Sequence, residues 1–315
     1  MNRREALKTM SYLGAATATL GGVALAQEKG SLVSWRFPTF LKPPIKTQEL
    51  ARGLHMLSGP GGNIAVLIGG NGVAVIDSGV APRAAAIQAA IAGLGGKTIR
   101  FLLNTHWHFD HVGGNEAIAK TGAVIVAHHN VRKRMAAEQT IAFVNEKVPL
   151  SPPRALPVVT FGDTGALHHE DTVIEAVYVP AAHTDTDAVY RLLGPDVVHL
   201  GDLFFNGFYP FIDYSTGGTL DGLIAGLDRV LKLVGPKTLV IPGHGPVGRK
   251  AELRGFRDML VEVRERINPL VEGGKSLEQV LAANPTRALD EKWGTGFFTG
   301  DFFIHMLYEG MTTKK

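Results

Sequence analysis

The segment "NTHWHFDHVGGN" at residues 104–115 places the tightest constraint on what this chain can fold into. Six consecutive positions hold His106, His108, Asp110 and His111. Imidazoles and carboxylates are costly to bury without partners, and a solvated loop has no use for so many at once. The fold must therefore bring them where several donor atoms act together. Three more donors share the same local address. His183 follows "AVYVPAA", Asp202 follows "VVHLG" and His244 follows "LVIPG", just as the hexapeptide follows "RFLLN". Each stands past the end of a short apolar, β-branched run that reads as a strand. In α/β sheets that carboxyl edge is where ligands bind, so four separate loops are expected to converge on one site.

Seven donors are more than one catalytic zinc takes, which is three protein ligands and a water. Two metals sharing a bridging ligand use seven. Alternation along H-x-H turns His106 and His108 toward one metal and leaves Asp110 and His111 for the next. The chain has no cysteine, which excludes thiolate zinc sites, disulfides and cysteine nucleophiles. Serine-hydrolase and zincin signatures (S-x-x-K, G-x-S-x-G, H-E-x-x-H) are absent too. Any metal must be held by His, Asp and Glu.

The 315 residues, 45% apolar and 19% charged, suffice for one large globular domain with a sizeable core. Residues 1–26 read as a leader. They have a charged start, an apolar middle of about a dozen residues and a small-x-small end at Ala24–Ala26, the layout of an export signal too short for the ~20 residues that span a bilayer. Arg3-Arg4 gives it a twin-arginine character. Periplasmic or secreted localisation follows as an expectation, with no stable membrane span. The whole chain carries a net +3. Removing the leader's three basic residues and one acidic residue leaves +1, with no basic field for nucleic acid. The expected partner is a small-molecule substrate.

Residues 27–52 read as an irregular N-terminal arm and 53–315 as the main domain. Strand-like runs begin at Leu54, and "GGNG" at 69–72 reads as a hairpin turn. A helix is expected over "PRAAAIQAAIAGLGG", and helical structure over 128–156. A second β-rich half begins near residue 157. Strands followed by helix–strand alternation in each half suggest two similar α/β halves, sheets inside and helices outside.

H-x-H-x-D-H followed by separated His, Asp and His resembles the metallo-β-lactamase superfamily, and "VAVIDSG" with Asp77 resembles that family's strand before the motif. The resemblance covers roughly residues 53–250. It implies an α/β fold, an αββα four-layer sandwich. It also implies His106, His108 and His183 on a first metal, Asp110, His111 and His244 on a second, and Asp202 bridging. Two zinc ions are the implied cofactors, with iron or manganese open. Asp110 is then also catalytic, and a hydroxide bridging the metals attacks an amide, ester or lactone. β-Lactams are among the possible substrates. Asp rather than Cys at position 202 is similar to glyoxalase II and lactonases.

Asp77 is expected to orient a ligand or the following loop. In "LFFNGFYPFIDY", Phe208, Tyr209 and Asn206 are candidate substrate contacts, with core packing the alternative. "SGPGGN" at 58–63 is expected near the site as a small flap, and Trp107 beneath the metal loop. His128–His129 and His168–His169 are not expected to face one another, and His199 is expected in the core. Two other functions stand beside the hydrolase: a metal-binding accessory protein of a quinoprotein system, loosely suggested by "GDLFFNGFYPFID", and a nuclease, which the near-neutral charge disfavours.

Overall fold

The computed structural model describes residues 43–59 and 61–313. The leader expected over 1–26 and the arm up to residue 42 lie outside the described residues. Seven strands form one sheet in the order β1-β2-β3-β4-β5-β6-β9. They are β1 (Lys46–Ala51), β2 (Leu54–Ser58), β3 (Ile64–Gly69), β4 (Gly72–Ile76), β5 (Ile99–Asn104), β6 (Val124–His128) and β9 (Val159–Phe161). The first four pair antiparallel and the rest parallel. Five strands form a second sheet: β10 (Thr164–His169), β11 (Thr172–Tyr178), β12 (Ala188–Leu192), β13 (Val197–His199) and β14 (Leu239–Ile241), in sequence order.

Side-chain parity shows how the layers stack. Along β4, Ala74 and Ile76 face inward to a cluster that also holds Ile174, Ala176, Tyr190 and Leu192 of the second sheet. Val73 and Val75 face the other way, onto Ile87 and Ile91 of α1 (Ala84–Gly93) and Ile118 of the short helix α3 (Asn115–Ala119), which follows α2 (Phe109–Val112). The second sheet does the same in mirror. Tyr190 points inward, while Val189 and Val198 point out against a helical layer. Period-two alternation with both faces apolar gives helix, sheet, sheet, helix: the four-layer sandwich.

The outer helices are α4 (His129–Met135), α5 (Leu220–Leu233), α6 (Lys250–Glu272), α7 (Leu277–Ala283), α8 (Asp290–Trp293) and α9 (Gly300–Thr312). In α5, Leu220, Leu223, Ile224, Leu227, Val230 and Leu231 are buried, the helical stripe of an element with one face on a core. Thr219 caps its start by accepting the Gly222 N–H at 2.9 Å. Among the described residues no helix is long and apolar enough to cross a membrane.

Two expectations are corrected. The arm expected through residue 52 is ordered from Lys46 onward as edge strand β1, paired along β2. Its side chains are mostly exposed, so it lacks the apolar alternation that marks a strand. The region 128–156 is α-helical only over α4. A two-stranded hairpin, β7 (Gln139–Ile141) with β8 (Glu146–Val148), follows, its turn made by one 3-10 turn at Ala142–Val144 and Asn145 at φ +51, and a second 3-10 turn lies at Pro153–Ala155.

Ile174, 1% exposed, packs between the sheets. Ile174→Ala is expected to cost about 2–5 kcal/mol in urea unfolding. A loss below about 1 kcal/mol would mean the sheets do not share that layer.

Candidate metal centre

The seven donors arrive just past β5, β11, β13 and β14, Asp110 and His111 on the short helix α2, and all are buried. They fall into two groups, His106, His108, His183 and Asp202, and Asp110, His111 and His244. Within each group the donor atoms lie within 4.8 Å of one another. Asp202 touches both. Its Oδ2 lies 3.5 Å from His183 Nε2 and 3.8 Å from His106 Nε2. Its Oδ1 lies 3.0 Å from His111 Nε2 and 3.5 Å from His244 Nε2.

The outward hydrogen bonds fix which nitrogen each ring offers. His111 Nδ1–H donates to Asp77 Oδ2 at 2.7 Å, and His183 Nδ1–H donates to the Phe211 carbonyl at 2.7 Å. Thr105 Oγ1–H is committed to Asp77 Oδ2, so the oxygen accepts from His106 Nδ1–H at 3.0 Å. These three rings turn Nε2 inward. His108 is reversed: Nε2–H donates to Asp213 Oδ2 at 3.1 Å, and Nδ1 faces inward, 2.9 Å from His183 Nε2. Two nitrogens at that distance share either a proton or a metal ion. His106 Nε2, His111 Nε2 and Asp202 Oδ1 are buried and make no hydrogen bond of acceptable geometry with any described residue. Such orphaned atoms are rare in a folded chain. The donor set and its unsatisfied atoms fit one divalent cation per group.

The charge states of the metal-free centre follow its two halves. Burial, then the neighbouring His111, holds His106 well below the usual imidazole range, and burial pushes His183 down to about 4. Burial also opposes charge on His111 and His244, but the Asp202 and Asp110 carboxylates outweigh it. His111 stays well above its usual value and His244 rises to about 9. Burial tends to raise Asp110 and Asp202, and the facing His111 and His244 override it and hold both carboxyls down.

A match to the description of the metallo-beta-lactamase superfamily runs over residues 58–277. The chain belongs to the metallo-β-lactamase superfamily. It is 34% identical over 158 residues to a hydroxyacylglutathione hydrolase of Polaromonas sp., covering 49% of this chain and 52% of that one. It is 26% identical over 220 residues to a protein of the same name from Erythrobacter litoralis, covering 63% and 75%. The chain thus spans about half the length of the first of these relatives. Among solved structures, the sec-alkylsulfatase Pisa1 of Pseudomonas sp. shares the fold with a TM-score of 0.64 at 18% identity, over 84% of this chain and 50% of that one. A metallo-beta-lactamase from Pontibacter korlensis does so at 0.55 and 19%, over 69% and 99%.

Around the superfamily's donor set, some sequence candidates sit elsewhere. Tyr209 is fully buried, donates to Asp290 Oδ1 at 2.9 Å and stacks on Phe303, so it does not face a substrate. Asn206 is turned toward the loop after β14, donating to the Pro246 carbonyl at 2.8 Å near His244. Phe208 stays near the site, edge-on to Phe205, which stacks on His244. Asp77 and Trp107 lie against the metal loop. Asp77 accepts from Thr105 N–H at 2.8 Å as well as from His111, and Trp107 Nε1–H reaches Thr216 Oγ1 at 3.3 Å.

The "SGPGGN" segment is near the site, and its last two residues are tied to it. Gly62 N–H donates to Asp110 O, and Asn63 donates to Gly243, Pro242 and Gly245 carbonyls. A Cβ on Gly62 would lie 2.1 Å from His111 Cε1, so only glycine allows that approach. His128 and His129, expected apart, have ring centroids 4.0 Å apart because His128 ends β6 and caps α4, where strand alternation has stopped. His199 is core: its Nε2–H donates to the Asn63 carbonyl and its Nδ1 accepts from Gly201 N–H.

Sequence reasoning missed Asp213. Its carboxylate accepts from His108, from Ser215 and from Thr216 Oγ1 at 2.7 Å. Searching for a carboxylate partner for each ring would have found it. Asp213→Asn is expected to weaken divalent-metal affinity 10- to 100-fold in a chelator competition. Undiminished affinity would show that His108 needs no such anchor. The charge states generate a second expectation. Filling the His111–His244 half of the metal-free protein at pH 7 should release protons, and its affinity should rise with pH toward about 9. His106 and His183 are already neutral and release none. Calorimetry in buffers of different ionisation enthalpy counts the protons, and equal release for both equivalents would contradict the assignment.

Proposed function

We propose that the chain is an exported binuclear metallohydrolase acting on a carbonyl bond: an amide, ester, lactone or thioester. The observation that carries this reading is Asp202, whose two oxygens divide between two complete donor groups. Relatives named hydroxyacylglutathione hydrolase put a thioester among the candidate bonds. The leader-like residues 1–26 support export to the periplasm or beyond. Zinc is the cation best suited to this imidazole and carboxylate set, with iron or manganese alternatives.

Two divalent cations in such a site acidify water and polarise a carbonyl oxygen. The chain's own residues do the rest. Asp110 remains a carboxylate because His111 and His244 hold it so. One of its oxygens lies 3.2 Å from His244 Nε2. The side chain retains some exposure, so it is placed to orient the attacking water. Asp77 and Asp213 keep His111 and His108 in one tautomer each, so the donors are set before substrate arrives. Phe205, stacked on His244 at 5.3 Å, keeps water from the flank of the site.

Asp110→Asn is expected to retain the fold and lower kcat by about 10²–10⁴-fold on a panel of β-lactam, lactone, ester and thioester substrates. The parent protein is expected to bind close to two metal ions per chain by elemental analysis. Full turnover in Asp110→Asn, or a well-loaded parent with only one ion, would overturn the reading.

A further inference from the structure

We infer that the segment following the superfamily-matched region forms the substrate-binding wall of this site, and that the wall receives an uncharged alkyl or aryl group next to the scissile bond. The inference rests on the hydrolase reading above and narrows its substrate class.

The open end of the site is identifiable from exposure. Asp110 and His244 keep 9% and 8% of their surface, while His111 and His183 keep none. A substrate therefore approaches over Asp110 and His244. His244 lies between two rings there, Phe205 stacked at 5.3 Å and Phe297 edge-on at 5.6 Å. Phe208 meets both of those rings, at 5.8 and 5.2 Å, and both Phe208 and Phe297 are only partly buried. The aromatic surface continues. Phe298 lies 6.0 Å from Phe211, which in turn is 6.3 Å from both His108 and His183. One apolar wall thus runs from one donor group to the other.

Phe297 and Phe298 lie beyond residue 277, where the superfamily match ends. They belong to the turn between α8 and α9, and the chain fixes that turn firmly. Tyr209 N–H donates to the Trp293 carbonyl at 2.9 Å, Tyr209 Oη–H donates to Asp290, and the Tyr209 ring stacks on Phe303 at 4.7 Å. Gly296 sits against the Phe208 ring, where a Cβ would be 2.3 Å from Phe208 Cβ. Tyr209 therefore positions the wall rather than touching substrate.

The chemistry of such a wall is selective. A charged group laid on these rings loses hydration that the rings do not replace. The ion pairs of Arg134, Arg191, Arg257 and Arg264 are made with carboxylates outside the site. Glutathione, with two carboxylates, is poorly matched to phenylalanine rings, whereas each methylene of an acyl chain laid on them gains roughly fourfold in binding.

The test uses the full metal-loaded chain and two readouts. In the first, kcat/KM is measured for p-nitrophenyl acetate, butyrate and hexanoate and for S-lactoylglutathione. It is expected to rise roughly tenfold from acetate to butyrate and to be lowest for the glutathione thioester. Phe297→Ala is expected to flatten the chain-length dependence, Phe297→Leu to keep most of it, and Phe297→Lys to shift preference toward the anionic thioester. In the second, dissociation constants are measured by calorimetry for 2-butanone, 2-hexanone and 2-octanone, which cannot be hydrolysed. They should tighten with length in the parent and in Phe297→Leu, and much less in Phe297→Ala. Metal content and near-ultraviolet circular dichroism verify that each variant is folded. Ketones that bind by length with no ester turned over would sink the hydrolase reading and leave the wall standing. Esters turned over with no dependence on chain length or on Phe297, or with the glutathione thioester preferred, would overturn the wall.

Discussion

Mutual repulsion among buried lone pairs is the constraint on which this structure depends. Seven donors sit within two adjacent clusters, and although His244 pairs with Asp110, not every inward atom finds a partner in the others. His108 Nδ1 and His183 Nε2 face each other at 2.9 Å, and His106 Nε2 has no partner among the described residues. A chain tolerates that only if the surroundings over-determine it. They do so through the outward atoms. Asp77, Asp213, Thr105 and the Phe211 carbonyl each hold one ring by its far nitrogen. The energy that keeps the donors converged thus comes from hydrogen bonds directed away from the centre, and a cation removes the residual conflict.

The fold supplies those anchors cheaply. Asp77 follows β4, and the hexapeptide follows the neighbouring strand β5, so adjacent parallel strands deliver carboxylate and imidazole side by side. Asp77 adopts φ +66, a left-handed conformation that turns the chain at the strand end. Its backbone N–H donates to Leu103 O, and its carboxylate accepts from Thr105 N–H. With the His111 Nδ1–H bond, the strained residue is fixed at three points. The second sheet joins the same network where Ala188 N–H donates to Thr105 O and Tyr190 Oη–H donates to Asn104 O. Sheet packing and site geometry are one set of bonds here, which is why the site needs no flexible cover to assemble it.

What was legible in the sequence follows from which residues act through local pattern. The donors were readable because each follows an apolar run, and strand ends are visible from composition alone. The layers were readable because β4, "GVAVI", is apolar on both parities. What the sequence hid depends on distant pairing. Strand β1 carries "KTQELA", whose polar composition conceals an edge position. Asn206 and Tyr209 look like mouth residues because they follow Asp202 among aromatics, but their partners, Pro246 and Asp290, lie 40 and 81 residues away. Gly62 was read as a source of mobility. Its role is contact, since the His111 ring occupies the volume a side chain would need. Asp213 was overlooked because a carboxylate's value to His108, 105 residues earlier, has no local signature.

The aromatic wall and the donor cluster are coupled by the same physics. A dry flank lowers the local dielectric and strengthens every interaction between donors and cation, so rings against His244, His108 and His183 do more than shape a cavity. They also set a cost. Imidazoles pressed against phenylalanine lose hydration, and burial is what holds His183 near 4. The His111–His244 half escapes that fate only because two carboxylates, Asp110 and Asp202, face it. The two halves of the centre therefore differ before any ion binds. In one, burial holds His106 and His183 neutral, and in the other His111 and His244 are charge-paired with Asp110 and Asp202. A substrate that meets the charge-paired end first, with its apolar portion on Phe297, is oriented by that asymmetry.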